Sequence, residues 1–140
     1  MTERNRPLQL GRRRRMRADL DTFILDPRTL KPHPVDLMTW AHAFQETERR
    51  LLRTHFSLPT GDELYVSTVF LGLDHGFGIR LRLFETMVFG PIAADEQQWR
   101  YRSAVQAEKG HRHAVWRVRR QLVRAGVSPK RVTERFRCGA

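Results

Sequence analysis

The stretch from Val66 to Gly90, VSTVFLGLDHGFGIRLRLFETMVFG, constrains the fold of this chain more than any other. Two runs rich in Val, Phe, Leu and Thr, residues 64–73 and 81–89, flank a link containing Gly76 and Gly78. That pattern predicts two strands paired antiparallel across a turn. Asp74, His75 and Glu85 interrupt these apolar runs. Ionisable groups held by strand-forming sequence are where chemistry is first to be sought.

The rest of the chain adds both helix and strand. Thr22–Leu25 is β-prone and closes on Asp26-Pro27-Arg28-Thr29, with Asp and then Pro in the order of a type I turn. A short return strand is expected near residues 29–31, ended by Pro32-His33-Pro34. A helix is expected from Val35, with Pro34 in its first turn and Leu37, Trp40, Ala41 and Phe44 on its apolar side. Residues 51–56 fit either an extension of that helix or a strand. Ser103 with Gln106 spells a capping box. Behind it, Ala104, Ala107, His111, Val115, Val118 and Leu122 fall on one stripe of a long helix, which Gly126 suits as a terminator. Ser128-Pro129 is expected to open a further basic helical turn through Phe136. The aromatics Trp40, Phe44, Phe70, Phe84 and Phe89 are assigned to the core, and Trp99 and Tyr101 to a polar connection.

These elements predict an α+β fold: a small, mostly antiparallel sheet of three to five strands, covered on one face by two helices. With 140 residues the chain can bury one modest core. Residues 19–126 are expected to form that domain, with 1–18 a basic flexible arm and 127–140 a basic C-terminal tail.

Charge is distributed in keeping with that division. The net charge of +11 places +6 in residues 1–17, −5 in residues 18–99 and +10 in residues 100–140. A slightly acidic middle between two cationic ends points to nucleic acid, a nucleoprotein or an acidic protein surface as partner. Arg12, Arg13, Arg14, Arg15 and Arg17 form one block, and Arg112, Arg119, Arg120 and Arg124 lie off the apolar stripe of the long helix. Guanidinium forks match phosphate geometry, so these nine are the expected nucleic-acid contacts. Trp116 on the same polar side could act as a stacking residue, although an aromatic there is more often a second packing edge. No apolar run approaches membrane-spanning length, and the arginine block is not followed by a signal-like apolar region. The single cysteine, Cys138, leaves no intramolecular disulfide and fits the cytoplasm.

The segments DLMTWAHAFQET, VSTVFLGLDHGFG, LFETMVFG and, beyond Tyr101, AEKGHRHAV occur in this order. Over about residues 22–118 the chain resembles a family of small uncharacterised proteins of bacteriophages and prophages. The resemblance implies a phage-type origin and an accessory, host-directed role, of the kind that inhibits or redirects a host machine such as a defence complex, in the cytoplasm of the bacterial host. It carries no activity or catalytic residue. Ile79-Arg80-Leu81-Arg82 stands where the family has a Gly-Pro-Pro-like link, and the arginine arm and basic tail are additions.

An enzymatic alternative rests on Asp74, His75, Glu85 and His111. If these converged, they could bind a divalent ion and support metal-assisted hydrolysis of a phosphate ester. The simpler account makes Asp74-His75-Gly76 a turn, Glu85 the partner of an arginine such as Arg80 or Arg82, and His111 a hydrogen-bonded core residue. No nucleophile motif, HExxH spacing or phosphate loop is present, and Gly76-Phe77-Gly78 is better read as turn chemistry. The sequence therefore favours a non-enzymatic binding protein without metal or cofactor.

Overall fold

The computed structural model describes residues 22–46, 49–73, 82–91 and 97–136. The arginine block and the Asp74–His75 pair lie outside them. The elements run β1 (Thr22–Leu25), β2 (Pro32–Val35), α1 (Leu37–Glu46), β3 (Arg50–Ser57), β4 (Glu63–Phe70), β5 (Phe84–Phe89), β6 (Gln98–Tyr101), α2 (Ala104–Arg124) and β7 (Arg131–Phe136). Strands β6-β5-β4-β3-β7 form one antiparallel sheet, and β1 and β2 form a separate ribbon. The fold is α+β, with α2 packed on one face of the five-stranded sheet and α1 packed beside β1.

The β4–β5 pair is the hairpin that the sequence predicts, in the register Val66↔Val88, Thr68↔Thr86 and Phe70↔Phe84. These residues face α2, and the period-two alternation of a strand sends their neighbours to the opposite side. The core fills the gap between sheet and helix. Phe56, Leu64, Val66 and Val88 meet Ala114, Val118 and Leu122 in one cluster; Leu51, Phe70, Leu83 and Phe84 gather around Ala107 in another. Phe44 and Phe89, expected in the core, are partly exposed instead. Phe56 takes the central place, because residues 51–56 belong to strand β3 rather than to a longer helix.

Local chemistry explains most of the boundaries. Asp26 Oδ1 accepts hydrogen bonds from the Arg28 and Thr29 amides at 2.8 and 3.2 Å, which closes the turn after β1. The return strand forms over Pro32–Val35, later than the sequence suggests; proline is tolerated there because the ribbon is an edge. Asp36, not Pro34, starts α1: its Oδ1 accepts from the Thr39 amide at 2.8 Å. Ser103 caps α2, its Oγ accepting from the Gln106 amide at 3.2 Å, and Gln106 reaches back to the Arg102 amide. Gly126 follows the C-cap with φ +68°, a conformation that glycine adopts without a Cβ penalty.

Two segments correct the sequence expectation. Arg131–Phe136 is neither a tail nor a helical turn; it is strand β7, laid along β3 from Ser57↔Arg131 to Leu52↔Phe136. Trp99 and Tyr101 belong to strand β6 and turn their rings toward the α2 side, where they pack on the core.

Candidate nucleic-acid interface

Of the four residues of the enzymatic alternative, the two that are described, Glu85 and His111, lie on opposite faces of the sheet. Glu85 and Thr86 are consecutive in β5, so they point to opposite sides. Thr86 points toward α2. Its Oγ1 is 2.6 Å from Thr68 Oγ1, which is 2.7 Å from His111 Nδ1, while His111 Nε2 is 2.9 Å from Thr54 Oγ1. Tyr101 joins this chain through Thr86. The result is a polar row crossing β3, β4, β5 and β6 beneath the helix, and His111 within it is only 4% exposed. Burial pushes the His111 pKa down to about 4, so the imidazole is neutral at physiological pH. A neutral ring offers one donor and one acceptor, and the two threonine hydroxyls complement both.

Glu85 faces the other way. Its Oε2 accepts from Arg100 Nε at 2.9 Å and from Gln98 Nε2 at 2.6 Å, and the residue is 7% exposed. The arginine partner is therefore Arg100 of β6 rather than Arg82, and Arg80 lies outside the described residues. The sheet separates Glu85 from His111, so these two cannot belong to one catalytic or metal site. Asp74 and His75 lie outside the described residues, among which no three His, Cys, Asp or Glu side chains cluster as a metal centre would.

On the helix side, Arg112, Arg119, Arg120 and Arg124 are exposed on α2, as their spacing predicts. Arg112 is paired with Glu108 one turn earlier at 2.6 Å, and the Arg119 guanidinium lies 5.5 Å from the Phe56 ring. Trp116 is 51% exposed. Its ring is flanked along the helix by His113, centroids 5.8 Å apart, and by Arg120, whose Cζ lies 4.8 Å from the ring centre.

The sequence does not single out the face of the sheet away from α2, yet that face holds the strongest convergence of binding chemistry. Among the described residues no helix packs on it. Cross-strand partners arrange it in rows. One row runs Phe89–Tyr65–His55–Thr133. The next runs Met87–Ser67–Arg53–Arg135, and on the other side of the first lies Glu63–Ser57–Arg131. Tyr65 and Phe89 stack with centroids 4.9 Å apart, and the Arg53 Cζ sits 4.4 Å from the Tyr65 ring centre. Alongside them, a concavity of about 430 Å³ is lined by Arg53, His55, Ser57, Glu63, Arg131, Thr133 and Arg135. Glu63 lies 3.2 Å from His55 Nε2. The arginines of this basin have no carboxylate partner among the described residues. Hydroxyls, guanidinium groups and an aromatic pair together can hold a phosphate and stack a base.

One signal in the sequence foreshadows this surface. Arg53 and His55, and again Arg131, Thr133 and Arg135, repeat at every second residue; with β7 recognised as a strand, that period puts them on one face. No family model, curated protein or solved structure matches the chain.

Proposed function

We propose that this is a non-enzymatic nucleic-acid-binding protein that takes a single strand on the open face of its sheet. The observation that carries this reading is the Arg53–Arg135 couple, which has no carboxylate partner among the described residues, beside the stacked Tyr65 and Phe89. Arginine supplies bidentate contacts to phosphate, and an aromatic platform accepts any base by stacking, worth about 1–3 kcal/mol per base. The net charge of +11 adds sequence-independent attraction, to which the exposed arginines of α2 contribute. A single strand fits better than a duplex, because bases reach an aromatic platform only when they are unpaired. The wording shared with phage proteins supports an accessory, host-directed setting for this binding.

Fluorescence anisotropy with a labelled single-stranded oligonucleotide over a salt series tests the reading. Log K should fall linearly with log salt. Tyr65→Ala should weaken binding roughly tenfold while the protein stays folded. A flat salt response, or full affinity in Tyr65→Ala, would refute the reading.

A further inference from the structure

Arg53 and Arg135 are directly opposed on antiparallel strands and share one face. Their Cα atoms are therefore about 4.5–5.5 Å apart. Like charges so placed repel one another and weaken the strand pair. A neighbouring carboxylate would relieve the repulsion, but the two acids that the described residues place on this face are committed elsewhere, Glu63 to His55 and Glu85 to Arg100. Arg53 is also held in place, since its guanidinium rests on the Tyr65 ring.

The couple is not one step of a continuous positive track. The row on one side, Phe89–Tyr65–His55–Thr133, contains no arginine or lysine, and in the row beyond it Arg131 shares its place with Glu63. On the other side, Arg50–Val69–Glu85–Arg100 mixes two arginines with a buried carboxylate. A backbone of evenly charged phosphodiesters crossing these rows would meet balanced, neutral, doubly positive and mixed ground in turn. One internal diester carries a single negative charge and would leave half of the couple uncompensated. A phosphomonoester carries about −1.5 to −2 at neutral pH and matches the couple.

From this arrangement we propose that Arg53 and Arg135 bind the terminal phosphomonoester of a nucleic-acid strand, with the adjoining base on Tyr65 and Phe89. The assignment rests on the nucleic-acid reading above and narrows it to a strand end. The concavity next to the couple has room for the terminal sugar, and Thr133, the neighbour of Arg135 across one row, lines it with a hydroxyl. The same chemistry is offered by a 5′-phosphate, by a 3′-phosphate and by a free mononucleotide, and these are separable in solution.

The experiment compares one single-stranded sequence in three forms: 5′-phosphorylated, 3′-phosphorylated and hydroxyl-ended. Anisotropy is read at one fixed salt concentration, with the nucleoside 5′-monophosphate as competitor. One phosphorylated form should bind roughly tenfold tighter than the hydroxyl-ended strand, the scale of one added charge-assisted contact. Whichever form gains reveals the polarity of the bound strand. Arg53→Gln and Arg135→Gln should each abolish the difference between the phosphorylated and hydroxyl-ended strands, whatever they do to hydroxyl-ended binding itself, and melt no lower than the parent; a variant that keeps the full phosphate advantage would overturn the proposal. Equal affinity for all three forms would overturn the proposal while leaving general nucleic-acid binding intact. A mononucleotide that binds as tightly as the phosphorylated strand would also overturn it. Absence of binding to every oligonucleotide at low salt would instead remove the broader reading, so the two failures are distinct.

Discussion

Acidification should destabilise this domain through His111 before Asp26 and Asp36 come into play. In the folded protein His111 titrates near pH 4 because it is buried, whereas in the unfolded chain it titrates at its ordinary value of 6.5. Below pH 6.5 the unfolded chain therefore takes up a proton that the folded chain refuses, and each pH unit costs about 1.4 kcal/mol of stability. The loss begins as pH falls through 6.5 and is complete near pH 4, where the folded state accepts the proton as well. Across that window it amounts to about 3 kcal/mol, a large share of the roughly 5–15 kcal/mol that holds a typical domain together. Asp26 and Asp36, whose pKa values are lowered mainly by backbone amides, lose their contribution only at lower pH, so the two effects fall in separate ranges. Urea unfolding followed by tryptophan fluorescence at several pH values provides the measurement. His111→Gln is the reference, since its amide keeps a donor and an acceptor but does not titrate. The stability difference between parent and variant should shrink steadily as pH falls from about 6.5 to about 4. A difference that stays constant across this range would show that the imidazole is not held neutral by burial, and the account of the polar row would fail.

Two further outcomes follow from the packing. Gly110→Ala should destabilise the domain by about 1–2 kcal/mol despite alanine's higher helix propensity, because a Cβ there would run into the Tyr101 ring and hydroxyl; thermal melts of variant and parent measure it, and a stabilised variant would mean that the Tyr101 ring does not cross the helix. Glu85→Gln should cost about 1–2 kcal/mol by chemical denaturation, less than a sealed ion pair, since Arg100 retains access to water.

The parts of the fold that the sequence reveals are those in which pattern and local chemistry agree. The β4–β5 hairpin carries dense β-formers on both sides of a glycine link, and α2 carries an apolar stripe behind a serine cap. Strand β7 is obscured because half of its residues are charged and Ser128-Pro129 imitates a helix start; only its partner β3 reveals it as a strand. Strand β2 is masked by its own prolines. The convergence at the open face depends on register, which brings Arg53 opposite Arg135 and Tyr65 opposite Phe89. The polar row is hidden for the same reason. Thr54, Thr68 and Thr86 read singly as strand formers, and their meeting at His111 requires three strands and a helix to be aligned first.

That row also makes mispairing costly. If β5 slipped by one residue against β4, Glu85 or Met87 would take the place of Thr86 beneath α2. Glu85 would then lose Arg100 and bring a bare carboxylate into the space beneath α2, while Thr68 would lose Thr86 as its hydrogen-bond partner. A purely aliphatic seam would resist such an error only through shape. Here every misaligned hairpin strands a buried hydroxyl or a buried charge, so the threonines act as a proofreading device for the assembling sheet, favouring one alignment among several of similar greasiness.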